Sequence, residues 1–373
     1  MVVGAEVRKK NIHQWIKSWI RKAWKGSTNK PTHILFCFAD HFEPQWGNPP
    51  REIEDRRVDR WCKEYLKIAK KHVDSDGSNP IHSFFYPEEE YRKAHLDKLQ
   101  GLCTFGVAEI EIHLHHHNDT EQGLREKLSR FIKVLSQQHG ALSKSTVNGN
   151  PVFGFIHGDW ALDNSRRDGR CCGVNNELVI LREMGCYADF TLPSAPSDTQ
   201  TAKINSIYYA KDDENKSKSH NTGCDLFVGG KEWGDLMLIQ GPLGLNWKNR
   251  KWGIFPRIEN SDISKASPPT NDRIDQWIDM GIHVKGKPEW VFVKIHAHGA
   301  GEDDMDVLLG QPMENMFSYL ENNYCNTNQY FLHYVSAREM YNIAKAAEAG
   351  EKGSPNKYRD YILVPPENRK NGV

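Results

Sequence analysis

The run AEIEIHLHHHNDT, residues 108 to 120, constrains this chain more than any other stretch. Read with a period of two, Ile110, Ile112 and Leu114 are apolar, whereas Glu109, Glu111, His113, His115 and His117 are all ionisable. Successive side chains of a strand point to opposite faces, so this pattern is a strand that buries one face and turns the other to a polar cavity. Four histidines in His113–His117 exceed what the packing of a strand end requires. Neutral imidazole is the commonest metal-ligating side chain, so the cluster points to a divalent metal site. A solvated His-rich turn is the plainer explanation, and it accounts for a lone histidine better than for a cluster.

Around this run, short apolar strands alternate with amphipathic helices. Strands are expected at 33–40, 81–87, 108–117, 151–160, 187–193, 290–298 and 330–335. Helices are expected at 55–73, 92–102, 120–139, 175–185, 271–281, 303–323 and 336–349. Such alternation argues for a parallel sheet with helical crossovers, closing as a barrel. The pattern breaks at about 204–270, which reads as an inserted β-hairpin and loop region without helices of its own. The barrel therefore spans 31–350, and residues 351–373, rich in Pro, Asn and charge, read as a tail.

Length and composition fit one soluble domain: 373 residues, 38% apolar and 26% charged, with no net charge. Eight cysteines show neither a CxxC pair nor the density of a disulfide framework. No stretch is long enough to span a membrane, and no apolar signal-peptide core opens the chain. Reduced thiols and a cytoplasmic setting are the expectation.

The zero net charge hides an asymmetry, because residues 1–30 carry eight Lys or Arg against the single acid Glu6. Within them, residues 8–25 form a basic amphipathic helix: Ile12, Trp15, Ile16, Trp19, Ile20, Ala23 and Trp24 share one face. That helix suits either peripheral contact with an anionic membrane, at its inner face, or packing across the end of the barrel. Nothing in the remainder resembles a nucleic-acid surface.

Functional groups recur where the strands end. The first offers Asp40, His41 and Glu43, the third His113, His115 and His117, the fourth His157 and Asp159. The strand at 290–298 sets Lys294, His296 and His298 on one face, opposite Val291, Val293 and Ile295. Catalytic groups of (β/α) barrels gather at the carboxyl ends of the strands, and unpaired imidazole or carboxylate is costly to bury. Convergence of this kind argues for an enzyme.

On these residues the chain resembles the polysaccharide deacetylase superfamily (NodB-like, carbohydrate esterase family four). EIEIHLHHH follows the family's EIxxHxxxH strand end, with His113 and His117 at the ligand positions. CFADH resembles its acidic first motif, with Asp40 at the metal-ligand acid and Ala39 where the catalytic base stands. VFVKIHAHG resembles the last motif, with His296 closer to the acid histidine than His298. FIHGDWALDN replaces the third motif. The resemblance implies a distorted (β/α)7 barrel of glycoside hydrolase/deacetylase type. It also implies Asp40, His113 and His117 around a divalent metal, zinc by default, with other first-row ions accepted.

The implied activity is metal-dependent hydrolysis, removing acetyl groups from an N- or O-acetylated carbohydrate or glycoconjugate. His296 is the expected general acid. With Ala39 in the base position, Asp159, Glu43 or Asp163 must supply the carboxylate, and Asp159 shares a face with His157. His115, His157, Trp160, Arg166 and His298 are expected to touch substrate. The Arg166, Arg167 and Arg170 run reads equally as a solvated loop. Trp46, Trp247 and Trp252 could stack on sugars, although most tryptophans are core. Two other readings stay open: a glycoside hydrolase using Glu43 and Asp159 as its acid pair, and a metal- and sugar-binding barrel that lost turnover with Ala39.

Overall fold

The computed structural model describes residues 10–22 and 31–369. The ends of the expected helix at 8–25 lie outside the described residues. Its centre is the helix α1 (Ile12–Lys22).

Parallel strands and helices then alternate: β1 (Thr32–His41), α2 (Arg51–Ala69), β2 (His82–Pro87), α3 (Lys93–Thr104), β3 (Ala108–Leu114), α4 (Glu121–Lys133) and β4 (Pro151–His157). After a long loop come α5 (Glu177–Glu183) and β5 (Cys186–Asp189). Two strands follow from the region expected to be inserted, β6 (Ile207–Ala210) and β7 (Leu236–Ile239). Then come α6 (Asn271–Asp279), β8 (Trp290–Ala297), α7 (Glu302–Leu308), α8 (Gln311–Tyr324), β9 (Tyr330–Val335) and α9 (Ala337–Ala349). The chain is thus a mixed α/β protein built on a large, mainly parallel sheet.

The sheet runs β8, β1, β2, β3, β4, β5, β7, β6. At its centre, β1 pairs with β8 from His33 to Asp40; it also pairs with β9 from Thr32 to Cys37 and with β2 from Phe38 to His41. Only β6 against β7 is antiparallel along this path. The strand β7 lies beside β5, so part of the 204–270 region extends the sheet. The same region also contributes a two-stranded hairpin, Gly244–Lys251 against Phe255–Glu259, and a short strand, Asp262–Ile263, beside β8.

Closure of the expected barrel is not shown. Among the described residues, no ladder joins β7 to β8. Side chains cross that seam instead: the Lys294 ammonium donates to the carbonyl oxygens of Phe190 and Leu192 at 2.6 and 2.7 Å. Burial pushes the Lys294 pKa down to about 8.

The period-two pattern decides where the core sits. Ile34, Phe36 and Phe38 of β1, Ile110, Ile112 and Leu114 of β3, and Val291, Val293 and Ile295 of β8 share one apolar cluster. Trp61 of α2 and Leu96 and Leu99 of α3 cover them. The opposite strand face carries Leu35, Cys37, Phe85, Ile156 and Phe292, packed with Met340 and Ile343 of α9. A capping box of Ser336 and Glu339 starts α9, and Gly350 ends it at φ +84°.

Beside this inner core lies a buried ionic ladder. Glu109 meets the Arg338 guanidinium at 3.0 Å and also meets Arg369, while Arg359 bonds Glu339 at 2.8 Å. Residues 351–369 are therefore fastened to the body and do not form the expected tail. Leu363 and Val364 also pair with Ser145 and Lys144.

The apolar face of α1 is used in the same way. Trp15 is fully buried among Ala195, Ile204 and Leu243, with Ile12, Ile16 and Trp19 alongside. Packing across the body, the second reading of this helix, is what the structure displays, and membrane contact gains no support. Among the described residues, no helix is long and apolar enough to cross a membrane.

Candidate functional site

A cavity of about 270 Å³ opens at the carboxyl ends of the strands, lined by His41, Glu43, Trp46, His115, Asp159, Trp160 and His298, among others. Glu43 is its centre. Its Oε1 lies 3.0 Å from His115 Nε2 and 3.5 Å from His113 Nε2. Its Oε2 lies 2.9 Å from His298 Nδ1. Burial opposes the charge on Glu43, yet His113, His115 and His298 hold its pKa well below the usual carboxylate value.

Local geometry sets each imidazole. His113 ends the inner face of β3, and its Nδ1 bonds the Ile156 carbonyl oxygen of β4 at 2.8 Å. A carbonyl can only accept, so Nδ1 donates there, and Nε2 is the nitrogen left facing Glu43. That buried Nε2 has no hydrogen-bond partner. His115 packs so closely on Gly158 that a Cβ there would meet its Cδ2 at 2.1 Å. The Nδ1 of His115 rests on the Glu89 carboxylate. Burial disfavours the charged form of His115, but Glu43 and Glu89 override it and raise its pKa to about 10.

His41 completes the wall, its ring 4.5 Å from that of His298 and 5.1 Å from that of His113. Burial, followed by the neighbouring His298 and His113, drives its pKa well down and favours the neutral ring. On the opposite rim, Asp159 and Trp160 both adopt φ of +53°. Two consecutive left-handed non-glycine residues cost on the order of 1–3 kcal/mol each, a strain that tends to gather at functional sites.

The Glu43, His113 and His115 ligand atoms all lie within 4.8 Å of one another. One carboxylate and two imidazoles form a donor set that catalytic zinc uses while keeping an open position. Behind the imidazoles stand the Ile156 carbonyl and the Glu89 carboxylate, the outer partners that orient ligating histidines. The residues therefore fit a divalent ion, which would take the place of the proton on His115 Nε2.

The structure brings together only some of the expected site residues. Glu43, His115, His298, Asp159 and Trp160 share the cavity, with His113 beneath them. Asp40 is not among them: it faces the outer side of β1, bonded by His82 at 2.9 Å and by the Gly299 amide at 2.7 Å. His117 is exposed beyond the strand end, its Nδ1 accepting from the Cys171 amide. Among the described residues, neither belongs to the group of close ligand atoms that contains His113.

His296 is buried one step below the cavity, its ring 6.2 Å from that of His41. His157 is buried in a different cluster, beside His116 and Glu177. Arg166 pairs with Asp168 in a separate surface hollow. Trp46, Trp247 and Trp252 are exposed rather than core, and only Trp46 borders the cavity. Among the expected groups, His41 is named at its strand end without a role, and Glu89 is absent. The first was legible, because 37, 39 and 41 share the inner parity of β1, but nothing local marks Glu89.

No protein-family model and no curated protein matches the sequence. Among solved structures, the chain is similar to a protein from Mycobacterium smegmatis provisionally named a polysaccharide deacetylase. That likeness has 12% identity and a TM-score of 0.46, covering 88% of this chain and 96% of that one. It is also similar to a 4-alpha-glucanotransferase from Thermococcus litoralis, at 10% identity and a TM-score of 0.43, covering 83% of this chain and 40% of that one. Likeness at this level carries no inference about activity.

Proposed function

We propose that this chain is a metal-dependent hydrolase that removes acetyl groups from an N- or O-acetylated carbohydrate or glycoconjugate. The observation that carries the reading is the Glu43, His113 and His115 set, with ligand atoms within 4.8 Å of one another, at the edge of a cavity over the strand ends. In this reading those three residues hold the ion, in place of the expected Asp40 and His117. A bound divalent ion, zinc by default, would supply Lewis acidity toward an acyl carbonyl and toward water.

The remaining groups act on protons and on the sugar. In this reading Asp159, exposed on the rim, takes a proton from the attacking water. His298, its Nδ1 engaged with Glu43, keeps Nε2 to protonate the departing amine or alkoxide. His296, buried behind His41, then supports the wall instead of meeting the leaving group. Trp46 and Trp160 offer flat apolar surfaces for sugar rings. Glu43 is engaged by three imidazoles, which suits a ligand and not the free acid of a glycosidase pair.

Acetate release from a panel of acetylated oligosaccharides tests the proposal. Activity should vanish on chelation, return with metal, and be absent in Glu43→Gln. Glycosidic cleavage without acetate release, or activity indifferent to chelation, would refute it.

A further inference from the structure

We infer that His116, His157, Cys172 and Glu177 form a second, closed metal site of structural type, suited to zinc or a similar divalent ion that accepts thiolate. The four come from separate segments: the end of β3, the end of β4, the loop after it and the first turn of α5. All are buried, and one ligand atom from each lies within 4.8 Å of the others. This group is distinct from the cavity, whose lining contains none of the four.

The spacing is that of a coordination shell. Glu177 Oε1 lies 3.1 Å from His116 Nε2 and 3.4 Å from His157 Nε2, and Glu177 Oε2 lies 3.6 Å from Cys172 Sγ. Zinc bonds of about 2.0 Å to nitrogen or oxygen and about 2.3 Å to sulfur give tetrahedral edges of about 3.3 and 3.5 Å.

Proton accounting separates an ion from ordinary hydrogen bonding. His157 Nδ1 donates to the Gly158 carbonyl at 2.6 Å, so its neutral ring turns a lone pair toward the Glu177 carboxylate. That Nε2 is fully buried and has no hydrogen-bond partner. Two lone pairs facing each other in a dry interior are unfavourable, and a proton or a metal ion between them relieves the pair; the four converging ligand atoms suit the ion. His116 has the same shortage. Neutral, it carries one N–H for two carboxylates, Glu177 at Nε2 and Asp119 at Nδ1, 3.2 Å away. A carboxylate behind an imidazole is the usual outer support of a metal ligand.

Cys172 is presented as such sites present a thiolate. The Val174 amide points at its sulfur from 3.4 Å. The turn between them needs Gly173, whose φ is +107° and whose place a Cβ could not fill, since it would meet the Asp119 amide nitrogen at 2.7 Å. Four protein ligands and no opening define a structural ion, not a catalytic one. Its work is positional: Glu177 also accepts from the Asp163 amide at 2.6 Å, fastening the loop that carries Asp159 and Trp160 into the cavity.

The test uses the whole chain, stripped by a chelator and reloaded with cobalt(II). Wild type and His113→Ala should both display a thiolate-to-cobalt charge-transfer absorption. Cys172→Ser should lose that band and one equivalent of metal per chain. In wild type, alkylation mapped by mass spectrometry should find Cys172 protected with zinc and reactive after chelation, a readout that needs no variant to fold. Absence of the band in wild type, or equal Cys172 labelling with and without metal, would overturn the inference.

Discussion

The ring of His113 is pinned to the carbonyl oxygen of Ile156 by a 2.8 Å bond across two neighbouring strands, and that bond chooses the nitrogen offered to Glu43. The tautomer is thus set by the sheet itself, before any ligand arrives. His113→Ala should remove the cavity's ion, one equivalent per chain by elemental analysis, together with acetate release. His113→Asn, which fills the space without the Nε2 lone pair, should fare no better. Full metal retention in both variants would dismiss the ligand role.

Loss of His298 should cost turnover before it costs metal. Its Nδ1 is already spent on Glu43, so the predicted defect of His298→Ala is a fall in kcat of about 10²–10⁴-fold, the usual worth of a positioned acid. His296→Ala should fall less, because its ring lies below the cavity. A reversed order in steady-state kinetics would return the acid role to His296.

The helix α1 should behave as part of the fold. Trp15→Ala empties a fully buried indole site and should cost about 3–5 kcal/mol in urea unfolding. Sedimentation with anionic vesicles should leave the wild-type chain in the supernatant, since Trp15, Ile16 and Trp19 are occupied. Strong salt-sensitive vesicle binding would instead restore the membrane reading.

Acid sensitivity should trace to Glu339. Burial opposes its charge, but Arg369, Arg359 and Arg338 override that and depress its pKa below the ordinary 4.5. A carboxylate depressed in the folded state stabilises it above the unfolded pKa, and this contribution is lost as pH falls through the folded value. Stability should therefore decline below about pH 4.5, and Glu339→Gln should flatten that limb. The same variant should be weaker at pH 7, because breaking a buried pair costs about 3–5 kcal/mol. Parallel acid limbs in wild type and variant would contradict the assignment.

Much of this architecture is written in alternation. The faces of β1, β3 and β8 follow from apolar residues at every second position, as does the inward direction of Glu109, Glu111 and His113. The same rule applied to FCFADH sets Cys37, Ala39 and His41 inward and Asp40 outward with Phe36 and Phe38, against the ligand role that resemblance implied. The rule ends with the strand. Beyond Leu114 the backbone turns, so His115, His116 and His117 part toward the cavity, a buried cluster and the surface. Glu177 and Cys172 meet His157 only because a long loop folds back, which no local period encodes. Seam and tail escaped for a similar reason: their bonds join residues far apart in the chain, through side chains at the seam and through ion pairs and a short ladder at the tail.

The ladder under β3 has a bearing on how the molecule comes into being. Arg338 lies 229 positions after the Glu109 it neutralises. On a ribosome, β1 to β4 are complete long before that arginine is made, so the half-built sheet must keep Glu109 in contact with water. The sheet's first half can gather early, but its interior cannot dry until α9 has been delivered. The last step of maturation is then electrostatic, and a newborn chain stalled before residue 338 should remain open to proteases along β3.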